Sequence, residues 1–130
     1  MVHDPIGDLL AQIKNASMAG IQTIELPHSR MKMEVAKILS KEGYIGAVSK
    51  VGDEPKSRLR IDIKYQGDTP VITGVKRISK PGLRQYVNKH TIPTVVGGMG
   101  MAVVSTPHGI MTGSDAKKKG VGGEILCTIW

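Results

Sequence analysis

With 130 residues, 40% of them hydrophobic, and a formal net charge of +7, the chain has material for one compact body or two small lobes. This excludes a large enzyme and also a disordered basic tail, which would be poorer in Ile, Leu and Val. Between Val75 and Lys119, eight Lys and Arg stand against Asp115 alone, which equals the charge of the whole chain and points to a polyanionic partner.

In chain order, Asp4-Pro5 predicts a helix start, because Asp accepts from free backbone N–H groups and Pro is preset for the first helical position. Ile6, Leu9, Leu10 and Ile13 then share one face. Thr23 to Leu26 reads as extended. Ser29 opens a second amphipathic helix with Met31, Val35, Ile38 and Leu39 as its expected buried stripe, and Gly43 ends it. Tyr44 to Val51 and Ser57 to Tyr65 read as strands around Gly52-Asp53-Glu54-Pro55. In the second, Leu59, Ile61, Ile63 and Tyr65 alternate with Arg58, Arg60, Asp62 and Lys64. The order helix-strand-helix-strand-strand predicts an α+β lobe with two helices over one side of a small sheet.

The polar break Gln66-Gly67-Asp68-Thr69-Pro70 sets the expected boundary between an N-terminal α+β domain, 1–68, and a C-terminal β-rich domain, 69–130; Val71 to Ile78 is a candidate bridging strand. Lys80-Pro81-Gly82 is a turn, since Pro fixes one dihedral and Gly accepts the positive one that follows. Gly97, Gly98 and Gly100 precede a strand from Met101 to Ser105. Thr112-Gly113-Ser114-Asp115 has capping-box spacing for one short helix, with Asp in the place usual for Glu, and Gly120 stops it. Glu124 to Trp130 alternates Ile125, Cys127 and Ile129 with Leu126, Thr128 and Trp130, as a closing strand would. The expected fold class is therefore α+β in two small lobes, the second β-rich with one short helix.

Enzyme readings find little support. Ser105, His108 and Asp115 lie close in sequence, but a triad needs geometry, and there is no Gly-x-Ser-x-Gly elbow. Gly97-Gly98-Met99-Gly100 lacks the Lys-Ser/Thr of a phosphate loop and opens a strand, not a helix. His3, His28, His90 and His108 show no paired metal-ligand spacing, so no metal or other cofactor is expected. Cys127 is the single cysteine and cannot form an internal disulfide; in an alternating apolar strand it reads as a small buried residue. Met31 with Met33, and Met99 with Met101, read as core filler. No apolar run approaches the roughly 20 residues needed to cross a bilayer, so no membrane partner is expected. Val2-His3-Asp4-Pro5 lacks an export pattern, and an intracellular place is expected.

Lys117-Lys118-Lys119 alone would read as a solvated face. Clustered with Ser105, Thr106, Thr112, Ser114 and glycines, basic side chains supply charge for phosphates and small groups that reach sugars and base edges. Aromatic residues make up only 3% of the chain and Phe is absent, so recognition is expected to follow the shape of the nucleic acid rather than stacking along a single strand. Tyr86, beside Arg84, is the aromatic placed to pack on a displaced base. The competing class is a general nucleic-acid-binding protein, although no helix-turn-helix or zinc pattern supports it.

A set of short motifs runs through almost the whole chain: Asp4-Pro5-Ile6; Ile13-Lys14-Asn15-Ala16; Pro27-His28-Ser29-Arg30; Glu42-Gly43-Tyr44-Ile45; Lys80-Pro81-Gly82-Leu83-Arg84-Gln85-Tyr86; Ile92-Pro93; Ser105-Thr106 with Gly109; Met111-Thr112; and Gly122-Gly123-Glu124 near Trp130. In this order and spacing the chain resembles small-subunit ribosomal protein number eight, the S-eight family. The resemblance implies a two-domain α+β protein of the cytoplasm, structural and not catalytic, that binds the central domain of small-subunit ribosomal RNA early in assembly. Its partners would be that RNA, neighbouring small-subunit ribosomal proteins and, in members that repress translation, the messenger of their own operon. The resemblance also implies RNA contacts by Ser105, Thr106 and Gly109, with Glu124 bracing their turn, Tyr86 against a base, and Lys80 and Arg84 alongside. Arg30, Lys32 and Lys56 of the N-terminal lobe would touch neighbouring helical backbone.

These roles fit the chemistry. The hydroxyls can both donate and accept, and Gly109 permits close approach. A carboxylate facing RNA is disfavoured, so Glu124 is expected to accept from the turn or from an exocyclic amine. The chain departs from the family pattern twice: Pro107 stands where a serine is common, removing a hydroxyl and a backbone donor, and Asp115-Ala116-Lys117 has a point charge where Arg is usual.

Overall fold

A computed structural model describes residues 4–130. The readings of Val2-His3 as no export signal and of His3 as no metal ligand fall outside the described residues. The described residues form two compact units, one Asp8–Thr73 and the other residues 4–7 with Gly74–Trp130.

Helix α1 (Pro5–Ala19) begins where the Gly7 N–H donates to Asp4 Oδ1 at 3.1 Å. Ile6, Leu9, Leu10 and Ile13 are all buried on its expected face. The first unit continues with β1 (Thr23–Pro27), α2 (Arg30–Lys41), β2 (Val48–Val51) and β3 (Arg58–Asp62). The antiparallel sheet has the order β1-β3-β2, with Leu26 opposite Leu59 and Ile24 opposite Ile61. Leu59 and Ile61 are inaccessible while Arg58 and Arg60 face outward, so the alternation in sequence becomes one core face and one wet face.

Four details differ from expectation. Ser29 caps α2, its Oγ accepting from the Lys32 N–H at 3.2 Å, but the buried stripe is Lys32, Val35, Ala36 and Leu39. Met31 is 42% exposed. The small Ala36 lets the helix approach along that line, one position round from the Met31 row. Second, only Val48–Val51 of the Tyr44–Val51 segment is a strand; before it the chain crosses close to Asp62, whose carbonyl accepts from the Gly46 N–H at 2.8 Å. Third, Tyr65 leaves β3 to pair in β4 (Tyr65–Gln66) with β5 (Thr69–Pro70). Its hydroxyl lies 3.1 and 2.6 Å from the carbonyls of Ala16 and Ile21, closing the end of α1. The polar segment 66–70 is thus a hairpin within the first unit. Fourth, Met99 is 83% exposed at the tip of its glycine loop, so it fills no core.

In the second unit β6 (Val75–Arg77), β7 (Tyr86–Val87), β8 (Met101–Thr106), β9 (Gly109–Thr112) and β10 (Gly123–Ile129) build one antiparallel sheet in the order β6-β10-β8-β9, and β7 takes the stretch of β10 that β6 leaves free. Of the candidate strand Val71–Ile78 only Val75–Arg77 is a strand; Gly74 just before it extends the pairing with β10 by exchanging two backbone bonds with Trp130, at 2.9 and 3.0 Å. A side chain at Gly74 would meet the Trp130 ring. Because β10 is paired on both edges and covered on both faces, Ile125 through Ile129 are all buried, where alternation alone suggested two different faces. Burial pushes the Cys127 thiol up to about 12, which leaves it inert.

Helix α3 (Gly113–Lys119) packs on β8 and β9. Thr112 Oγ1 caps it, accepting from the Asp115 N–H at 3.1 Å, and Gly120 ends it at φ +68. Its last turn holds Lys117, Lys118 and Lys119, which suit the carbonyl end of the helix.

Candidate nucleic-acid interface

Directly opposed residues of antiparallel strands project from the same face. The register sets Tyr86 opposite Glu124, Glu124 opposite Ser105, and Ser105 opposite Ile110. Three polar side chains far apart in sequence therefore stand in one row across neighbouring strands, about 5 Å per step. Glycine makes this pairing possible: a Cβ on Gly123 would fall on the Ser105 carbonyl oxygen, and one on Gly122 on that of Val87.

Each member of the row keeps a polar end free. Tyr86 is 71% exposed, and neither its hydroxyl nor that of the half-buried Ser105 has a partner among the described residues. Glu124 is held through Oε2 alone, which accepts from Ser79 Oγ and, at 3.0 Å, from Arg84 Nη1. No described residue donates to Oε1. Burial pushes the Glu124 carboxyl up, but the bonds from Ser79 and Arg84 and the charges of Arg84 and Arg77 outweigh it, so the pKa lies below its ordinary value and the group is ionised at neutral pH. The brace on Glu124 thus comes from the 79–84 segment and not from the 105–109 turn.

Ser79 was not singled out from the sequence. It is fully buried, and its Oγ also accepts from the Gln85 N–H at 3.2 Å. The available signal was a hydroxyl directly before a Pro-Gly turn, where such side chains often tie the backbone. That turn forms as expected, with Lys80 and Leu83 exchanging backbone bonds at 3.1 and 2.9 Å and Gly82 at φ +86. It presents Lys80 and Arg84, whose side chain is 50% exposed.

Thr106 differs from Ser105. It lies on the other side of the pleat, and its Oγ1 donates to the Gly109 carbonyl at 2.8 Å while accepting from the His108 N–H at 3.1 Å. Its hydroxyl works inside the turn. Gly109 has φ +107, and the space above it is open. The exposed Pro107 interrupts none of these bonds.

Not every cation of the basic stretch is free. Arg77 holds Asp4 through Nε and Nη2, the latter at 3.2 Å from Oδ1, and donates from Nη1 to the Leu126 carbonyl at 2.6 Å. The pair is 73 residues apart in sequence, which is why no local pattern reveals it. Burial raises the Asp4 carboxyl, but Arg77 and the Gly7 N–H outweigh that and lower it overall. A second group of exposed cations gathers at the end of α3, where the Lys89 side chain reaches Gly120 beside Lys117–Lys119.

The remaining expected contacts lie in the first unit. Arg30 is extended into solvent and pairs with Glu34 at 3.4 Å; Lys56 is exposed. Lys32 is only 7% exposed, and burial, aided by Arg58 and opposed by Asp8, lowers its pKa. It offers little surface to a phosphate. This unit also holds a cavity of about 170 Å³ lined by Gly20, Gln22, Tyr65, Gly67 and Asp68. Among the described residues no cluster of three His, Cys, Asp or Glu could hold a metal, and no helix is long and apolar enough to cross a membrane.

Comparison with known proteins gives a concordant result. The sequence pattern of the family described as ribosomal protein S8 matches residues 4–130. The chain is 51% identical over 129 residues to the small ribosomal subunit protein uS8 of Dictyoglomus thermophilum, covering 99% of this chain and 98% of that protein. It is 47% identical over 131 residues to the protein of that name from Dehalococcoides mccartyi, covering all of both. The Cellvibrio japonicus protein of the same name is 47% identical over 129 residues, covering 99% of this chain and 98% of its own length.

Proposed function

We infer the function from one premise: the chain belongs to the ribosomal protein S8 family, structural and non-enzymatic constituents of the small ribosomal subunit. On that premise we propose that it binds the central domain of small-subunit ribosomal RNA directly and helps that domain fold during assembly, with other small-subunit proteins as neighbours. The observation that carries the reading is the Tyr86–Glu124–Ser105 row. An ionised Glu124 between two free hydroxyls repels phosphate and invites N–H or O–H donors, so the row suits base edges and ribose hydroxyls. Tyr86 adds an exposed ring on which a displaced base can rest. Lys80, Arg84, Lys89 and Lys117–Lys119 of the same unit hold phosphates, while the open backbone at Gly109 allows close approach.

In this reading Thr106 shapes the turn instead of reading the RNA. Arg30 and Lys56 add charge from the first unit, and Lys32 supports α2 from within.

The experiment is a filter-binding titration of the chain with a central-domain transcript and with an unrelated structured RNA, over a salt series. Affinity on the order of 10 nM for the first, at least about a thousandfold tighter than for the second, is the expected outcome. Equal affinity for both would leave only a general polyanion binder.

A further inference from the structure

We propose that Ser79 is the positioning residue of the RNA-facing row: its buried hydroxyl holds one oxygen of Glu124 so that the other is presented to a hydrogen-bond donor of the RNA. The proposal rests on the reading of that row as the RNA site and moves one layer behind it, to a side chain that no RNA can touch.

Ser79 is wholly inaccessible, and all its polar atoms but the carbonyl have visible work. Its N–H donates to the Ile125 carbonyl at 3.1 Å, its hydroxyl donates to Glu124 Oε2, and the same oxygen accepts from the Gln85 N–H at 3.2 Å. One side chain thus links the strand that carries Glu124 to the residue just before Tyr86, fixing two members of the row relative to each other.

Arg84 also donates to Oε2, but its side chain is half exposed. A phosphate can compete for an exposed guanidinium, and salt weakens such a pair. Ser79 is sheltered from both. Glu124 has three rotatable side-chain bonds, so without Ser79 its carboxylate would turn freely whenever Arg84 swings to the RNA. With Ser79 in place, Oε1 keeps its direction while Arg84 is released to a phosphate.

The test uses the full chain in four forms, native, Ser79→Ala, Glu124→Ala and the double variant, titrated with the central-domain transcript. Each single variant is expected to weaken binding about tenfold. In the Glu124→Ala background, Ser79→Ala should change affinity by less than about twofold, because the group it acts through is gone. The salt slope should be the same in all four forms, since no phosphate contact is removed. If Ser79→Ala does not fold, Ser79→Cys keeps the volume with a feeble donor and should show the same pattern. An equal loss in both backgrounds would mean that Ser79 only shapes the turn, which overturns the proposal. So would native affinity in Ser79→Ala where Glu124→Ala is impaired. Native affinity in Glu124→Ala itself removes the row as the RNA site and the proposal with it, so the two failures are distinguishable.

Discussion

The two units differ in their balance of charge. Asp8–Thr73 carries ten Lys and Arg against eight Asp and Glu, a surplus of +2, whereas the unit containing Gly74–Trp130 carries eight against three, a surplus of +5. In the first, Arg30 pairs with Glu34 and Lys50 with Glu54, both four residues on, and Lys32 is drawn inside, while Lys37, Lys41, Lys56, Arg60 and Lys64 stand exposed among nearly as many acids. In the second, the acids are used as structural anchors, Asp4 for Arg77 and Glu124 for Arg84, and the lysines are left to solvent. An excess of cations over acids, and not cations as such, marks the unit that suits a polyanion.

The comparison can be broken most sharply at its glycines. Gly123→Ala should destabilise the protein by about 3 kcal/mol in urea unfolding, since the new methyl collides with backbone of β8. Gly67→Ala in the first unit, at φ +65 with open space around it, should lose only about 1 kcal/mol. Equal losses would contradict the close strand pairing under the row. Next in size, replacing Lys117, Lys118 and Lys119 together by Ala should lower the slope of log affinity against log salt by about 2 for any RNA; an unchanged slope would mean that these lysines only solvate α3.

Ser105→Ala should weaken binding of the specific transcript about tenfold without moving the urea midpoint. Thr106→Ala should lower the midpoint, with a loss of about 1 kcal/mol in unfolding free energy, because its hydroxyl is already bonded within the turn. The reverse pattern would exchange their roles.

Acid should act through Asp4. Its folded pKa is lowered from 3.8, so its contribution is fully present above that value and is lost as pH falls through the folded pKa. Asp4→Asn should remove about 1 kcal/mol near neutral pH and flatten stability below about pH 4; an unchanged acid limb would contradict it. Smallest of all, Arg30→Ala should leave RNA affinity within about twofold, since its charge is already shared with Glu34.

Legibility followed the range of the interaction. Caps at Asp4, Ser29 and Thr112 and the turn at Lys80-Pro81-Gly82 depend on residues a few positions apart, and all are where the sequence suggests. The alternation of β3 needs only one open face and was readable too. The face of α2 was not, because Ala36 and Lys32 outrank Met31 only once a neighbour has chosen the side. Strand register is a long-range property: nothing near Tyr86 says that it stands opposite Glu124, nor that Glu124 stands opposite Ser105. Hence the resemblance groups Ser105, Thr106, Tyr86 and Glu124 as one set of contacts, but neither the row of three nor the pleat that sets Thr106 apart is legible locally, and no local pattern ties Ser79 to Glu124.

The most direct measurement is ultraviolet crosslinking of the full chain to the central-domain transcript, with the attached peptides identified by mass spectrometry. Crosslinks at Tyr86 and within residues 105–109, lost when the RNA is unfolded, are the expected result. Crosslinks confined to Asp8–Thr73, with Tyr86 untouched, would contradict the assignment of the row as the RNA-reading surface.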